Sequence, residues 1–175
     1  DWHGENDPHF TSRQPTDDAY VDQEHPATNY GGAATLEFGA FEAGKEKQSY
    51  LRFDISDIDS AEPHLVKLHL YWNSTGPHTD LCKVTDDTWT EGAVTWNTKP
   101  ADGDLLWNGA IVANNWNNFD VTDYLKEALA AGRTALGFTL RMHADSGFWE
   151  SDVSSKEGAN KPYMFNDTAS TTNAD

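Results

Sequence analysis

Three short stretches place basic and aromatic side chains at alternate positions, the spacing that puts them on one side of an extended strand. In SYLRFD, Tyr50 and Arg52 alternate with the apolar Leu51 and Phe53. In LVKLHLYW, Lys67, His69 and Tyr71 alternate with Val66, Leu68, Leu70 and Trp72. In GFTLRMH, Thr139, Arg141 and His143 alternate with Phe138, Leu140 and Met142. Guanidinium pairs bidentately with carboxylate or sulfate, and tyrosine offers a flat apolar ring with a hydroxyl. If the three strands lie in one sheet, these groups form a basic face suited to an extended anionic sugar chain, with the loop lysines Lys45 and Lys47 nearby. The same charges can instead pair with Asp or Glu across the sheet.

A second constellation is acidic. PTDDAYVDQEH gathers Asp17, Asp18, Asp22 and Glu24. Calcium is held by about six to eight oxygen ligands from carboxylates and backbone carbonyls. Asp18 with Asn29 and the carbonyls near NYGG could thus make a structural calcium site that pins the first strand, the alternative being that these carboxylates are a solvated acidic loop. EF-hand spacing is absent, and the seven histidines form no H-x-x-x-H pair, which argues against zinc. The only cysteine, Cys82, sits in the alternating DLCKVTD and reads as a small buried thiol. No nucleophile elbow, P-loop or dinucleotide glycine pattern occurs. Casting Tyr71, His69 and Arg141 as the base and charge neutraliser of a small lyase is chemically allowed, but no spacing-specific motif supports it.

The charge balance narrows the partners. Twelve Lys and Arg face 29 Asp and Glu, a net charge of −17. Such a surface repels nucleic acid and anionic membrane. No apolar run approaches the roughly twenty residues that cross a bilayer. The chain opens on the polar DWHGENDPHF rather than a signal-peptide pattern, as a processed exported chain or a module of a larger protein would. An extracellular or cell-surface location is expected, with neither nucleic acid nor membrane insertion.

The elements that must position these groups are mostly strands. Period-two alternation marks nine of them: DDAYVDQ, ATLEFGAF, QSYLRFDI, HLVKLHLYWN, LCKVT, TWTEGAVTW, WNNFDVT, ALGFTLRMH and KPYMFND. DVTDYLKEALAAGR is the exception, with Tyr124, Leu125, Ala128 and Leu129 at helical spacing, Asp120 or Thr122 as cap and Gly132 at the C-terminal end. Many strands, one short helix and no βαβ alternation predict an all-β protein, an antiparallel, jelly-roll-like β-sandwich. Residues 1–16 read as an N-terminal extension, 17–167 as the sandwich and 168–175 as a flexible tail.

The order of these motifs resembles a known family. Asp18–Tyr20–Val21, Thr28–Gly31, the YLRFD of Tyr50–Asp54, the WTE…VTWN…P of Trp89–Pro100, the DVT of Asp120–Thr122 and Ser155–Lys156–Glu157 before Pro162 resemble the DNRLRE domains, the group that includes carbohydrate-binding module family 96. The resemblance runs from about residue 17 to residue 166. It implies a non-catalytic β-sandwich that accompanies polysaccharide lyases and surface proteins, with acidic polysaccharide, alginate-like, as ligand and basic residues as contacts. It further implies that Trp89 and Trp96 serve the fold, and that Arg52 pairs with Glu157 unless it contacts ligand. Trp107, Trp116 and Trp149 lie outside the motif and are the candidates for stacking on sugar. The expected function is thus polysaccharide binding within a larger multidomain protein. A calcium-rigidified structural or adhesive module without a sugar ligand is the alternative.

Overall fold

The computed structural model describes residues 10–167. Eleven strands follow in order: β1 Ser12–Arg13, β2 Asp17–Asp22, β3 Thr35–Ala40, β4 Lys47–Asp54, β5 Val66–Trp72, β6 Gly76–Val84, β7 Leu105–Ile111, β8 Asn115–Asp120, β9 Ala135–Met142, β10 Trp149–Ser154 and β11 Tyr163–Asn166. One helix, α1 Thr122–Ala130, separates β8 from β9.

All pairings are antiparallel, and they divide into two layers. One layer runs β2–β4–β9–β6–β7. In the other, β5 is flanked by β8 on one edge and by β11 and β10 on the other, with β3 beyond β10. A single pair, Gly39 opposite Lys47, joins the layers through β3 and β4. The alternating apolar residues meet between them: Leu51, Phe53, Phe138, Leu140 and Leu81 from the first layer, and Leu68, Leu70, Trp72, Phe38, Val153 and Met164 from the second. This is the expected β-sandwich with its single helix.

The outer face of the first layer is not left to water. Residues 85–100 fold across it and close a second apolar cluster of Ala19, Val21, Tyr50, Val84, Trp89 and Val94. The stretch TWTEGAVTW was expected to be a strand. Instead Ala93 and Val94 both donate N–H to the Thr90 carbonyl, and Trp96–Thr98 makes a turn of 3-10 helix. Alternation arises here because the segment lies flat on a sheet without joining it. Trp89 fills the cluster edge-on to Tyr50 at 5.9 Å, while Trp96 is half-buried beneath the Lys99 ammonium at 4.8 Å. Both tryptophans therefore serve the fold.

Three strands escaped the sequence reading: the two-residue β1, which was read as part of an extension, and β7 and β10, because LLWNGAI and WESDVS mix polar and apolar residues without clean alternation. The boundary expected at residue 17 also lies too late. Phe10 is buried, its N–H donates to Glu62, its carbonyl accepts from Asn166, and β1 pairs with β11. Together with the Arg13–Asp57 pair, these contacts hold the stretch that looked like an extension. Residues 1–9 and the tail 168–175 lie outside the described residues.

Asp120 supports the start of α1 as expected, its Oδ1 accepting both the N–H and the hydroxyl of Thr122. These two bonds hold the Asp120 carboxyl below its ordinary pKa. Because the folded pKa is depressed, the stabilisation is present above the unfolded value and fades as pH falls through the folded one. Replacing Asp120 by Ala is expected to cost about 1 kcal/mol at pH 7 and to reduce the acid-side loss of stability, read by urea melts at pH 7 and pH 3.

Candidate functional site

The basic face does not assemble, because its strands fall in different layers. Arg52 on β4 and Arg141 on β9 belong to one layer, and His143 lies just past the end of β9. Lys67, His69 and Tyr71 on β5 belong to the other. The cations of the first layer are also already neutralised. Arg52 Nη2 lies 2.6 Å from Asp17, and its Nη1 donates to the carbonyls of Asp87 and Trp89. Arg141 reaches Asp102 at 3.1 Å and Asp80 at 3.4 Å, and Asp80 also holds His143 at 2.8 Å. Lys45 is paired with Glu42 and Glu24, and Lys47 with Glu37 and Glu150. The Arg52–Glu157 pair implied by the resemblance does not form; Lys156 takes Glu157 instead. Five of the expected ligand contacts, Arg52, Arg141, His143, Lys45 and Lys47, thus already have carboxylate partners within the chain.

The remaining three stand on a different kind of surface. On the outer face of β5, Tyr163 and Phe165 of β11 lie opposite His69 and Lys67, and Trp116 and Asn118 of β8 lie opposite Tyr71 and His69. Their rings touch in sequence. Phe165 is edge-on to His69 at 6.5 Å, His69 stacks on Tyr163 at 4.4 Å and 4°, Tyr163 meets Trp116 at 5.4 Å, and Trp116 meets Tyr71 at 5.5 Å. Trp116 is 37% and Phe165 41% exposed, high values for such large apolar side chains. Burial and the neighbouring Lys67 ammonium push the His69 pKa below its usual value, which favours the uncharged ring. Lys67 lies opposite Asp120, yet it makes no ion pair among the described residues.

Trp116, a candidate for stacking because it sits in the polar run NNWNNF, is placed on this exposed face. Of the other two candidates, Trp149 is buried against Phe38 and Trp107 packs on Phe119. Tyr163 and Phe165 were missed. Their alternation in KPYMFND was visible, but nothing local says that β11 lies beside β5.

The acidic constellation resolves differently from its expectation. Asp18 converges with Glu91 and Glu157, each offering one oxygen, all within 4.8 Å of one another. Asp18 is fully buried; its Oδ2 accepts the Lys156 N–H at 2.7 Å and its Oδ1 has no partner. Burial drives the Asp18 pKa well above the carboxylate range, with Glu157 and Glu91 adding to the shift. Lys156 Nζ bridges Glu91 at 2.8 Å and Glu157 at 2.7 Å. Asn29 is beside this cluster but serves as a clamp: its amide donates to the carbonyls of Glu91 and Val94, and its Oδ1 accepts from Gly31. Asp22 lies elsewhere, paired with His25.

Comparison with known proteins completes these observations. The family model of carbohydrate-binding module family 96 matches residues 9–168. A gellan lyase from Bacillus sp is 28% identical over 135 residues, covering 72% of this chain and 5% of that protein. The tRNA nuclease WapA of Bacillus subtilis strain 168 is 25% identical over 172 residues, covering 88% of this chain and 7% of that protein. The tRNA3(Ser)-specific nuclease WapA of Bacillus spizizenii shows the same 25% over 172 residues. The chain spans only 5% to 7% of the length of these curated relatives.

Proposed function

Because the chain belongs to carbohydrate-binding module family 96, we propose that it is a non-catalytic module that binds an extended acidic polysaccharide, uronate- or alginate-like, along the aromatic face of β5, β8 and β11. The observation that carries this reading is the unbroken run of rings from Phe165 to Tyr71 with Trp116 and Phe165 open to solvent. The apolar C–H faces of sugar rings stack on such surfaces, while Asn118 and the tyrosine hydroxyls supply polar contacts. Lys67 provides a cation for a uronate carboxylate, the role first expected of a larger basic cluster. Each contact is weak, so affinity rests on several subsites acting together.

The comparisons support a targeting role. A similar stretch occurs in proteins named as a lyase and as nucleases, so the shared part suits an accessory task rather than either chemistry. We assign the module to a larger extracellular or cell-surface protein whose other parts it holds against polymer. Among the described residues no helix is long and apolar enough to cross a membrane.

Affinity electrophoresis in native gels containing alginate, gellan or a neutral glucan tests the reading. Retardation by the uronate-containing polymers is expected, with Lys67→Met reducing it while leaving any retardation by glucan intact. Unchanged migration in every polymer would overturn sugar binding and leave a purely structural module. The salt response is a further check. With a net charge of −17, binding to a polyanion is expected to strengthen as ionic strength rises from about 10 mM to about 150 mM, since screening shortens the reach of repulsion from about 30 Å to about 8 Å. A steady fall of affinity over that range would count against this account of the ligand.

A further inference from the structure

The sharpest electrostatic imbalance lies at the edge of the sandwich where β2 meets the turn after β10, and it shares no residue with the aromatic face. Three carboxylates, Asp18, Glu91 and Glu157, place oxygens within 4.8 Å of one another. A single ammonium, Lys156, answers them, and it reaches Glu91 and Glu157 but not Asp18. The free oxygen of Asp18 is buried without any hydrogen-bond donor. Burial disfavours the charged form of this carboxyl, so a cation entering beside its unpartnered oxygen would relieve that penalty and restore the carboxylate.

The surroundings are built to hold this geometry. The N–H of Asp18 donates to Glu91 Oε1, and Asn29 clamps the Glu91 and Val94 carbonyls. Gly31 presses on the same backbone so closely that an added Cβ would lie 2.3 Å from the Glu91 carbonyl oxygen. Any residue but glycine there would force the Glu91 backbone to move. Opposite, Ser155 donates its N–H to the Ala34 carbonyl and its hydroxyl to the Ala33 carbonyl, which fixes the turn that carries Lys156 and Glu157.

We propose that Asp18, Glu91 and Glu157 bind a divalent cation, calcium, and that Lys156 is a competing internal cation that swings out when the ion enters. The donors are all oxygen, with no histidine or cysteine among them, which selects a hard ion over zinc. Calcium accepts irregular coordination and mixes carboxylates with carbonyls and water, whereas magnesium demands near-octahedral order and keeps its waters. The Lys156 side chain is 23% exposed, so a path to solvent is open to it. The ion would join three segments distant in sequence, β2, the covering segment 85–100 and the turn after β10, and its role is to stabilise the module rather than to contact sugar. The inference stands whether or not the aromatic face binds polysaccharide.

Thermal unfolding and titration calorimetry of the intact chain, with calcium chloride or with EDTA, test it. Calcium at 1 mM is expected to raise the melting temperature by several degrees, and EDTA to reverse the rise. Glu157→Gln should weaken calcium binding about tenfold or more, because a charged ligand is lost. The decisive variant is Lys156→Met. If the lysine competes, its removal should tighten calcium binding about tenfold, the worth of the charge-assisted bonds that no longer oppose entry. Wild-type protein showing neither heat nor a melting shift up to 10 mM calcium would overturn the site. So would a Lys156→Met protein that binds calcium no better than wild type, for the ammonium would then be the permanent partner of the two glutamates. Magnesium matching calcium in affinity would overturn the choice of ion.

Discussion

Arg52→Met is expected to lower the stability of the module by about 2–4 kcal/mol, somewhat less than the cost of breaking a fully buried pair because this one is partly buried. For a chain of this size that corresponds to a fall of about 10 °C in melting temperature. Arg52 is the point where three pieces meet. Its guanidinium holds Asp17 of β2 at 2.6 Å, accepts the company of the Trp89 ring at 5.3 Å, and donates to the Asp87 and Trp89 carbonyls of the covering segment. Methionine fills part of the volume but removes the cation beside Asp17, which keeps only the Glu91 N–H and the Thr16 hydroxyl, and the donor to two carbonyls, so the covering segment loosens.

The pH dependence separates this role from a ligand-binding one. Burial raises the Asp17 pKa, but the Glu91 N–H, the Arg52 guanidinium and the Thr16 hydroxyl outweigh it and hold the carboxyl below its ordinary value. The stabilisation is therefore complete above the unfolded pKa and is lost as pH falls through the folded one. Arg52→Met should remove part of that acid-side decline as well as lower the plateau, and a double-mutant cycle with Asp17→Asn should show strong coupling. Stability unchanged within about 0.5 kcal/mol, with polysaccharide binding lost, would return Arg52 to the binding face.

Replacing Trp116 and Tyr163 together by Ala is expected to abolish retardation by polysaccharide. Each is placed to act as an aromatic anchor, and truncating such an anchor typically costs about 2 kcal/mol or more, roughly a thirtyfold loss of affinity. The two rings meet at 5.4 Å above β5, so their removal divides the platform between His69 and Tyr71. Folding should survive, since Trp116 is 37% exposed and Tyr163 is only half-buried. Near-native melting together with lost retardation is the expected signature.

Arg141→Ala provides the contrast. Its guanidinium is committed to Asp80 and Asp102, so the substitution should disturb local stability and leave polysaccharide binding intact. Binding that is lost in Arg141→Ala and kept in the Trp116, Tyr163 double variant would move the ligand to the other layer. The two layers therefore make opposite predictions for the same assay.

The amino-acid sequence by itself determined most of the elements. Period-two alternation marked β2, β3, β4, β5, the latter half of β6, β8, β9 and β11, and helical spacing with Asp120 at the start marked α1. Motif order gave the family, and it identified Trp89 as a packing residue. These are properties of chain segments a few residues long, where the period of the side chains fixes which positions share a side. The sequence singled out Asp18 as well, although its companions Glu91 and Glu157 lie 73 and 139 residues further on.

Only the tertiary structure decided which strands share a layer. Period tells that Arg52, Lys67 and Arg141 each face away from an apolar side, but a sandwich has two such outer faces, and strand order alone assigns a strand to one of them. Counter-ion choice is equally non-local: Arg141 takes Asp102 from 39 residues away, and His143 takes Asp80 from 63. The aromatic face illustrates the same cause. Trp116, Tyr71 and Tyr163 become neighbours because β8 and β11 both pair with β5, and that pairing is fixed by burying Leu68, Leu70 and Met164 beneath them.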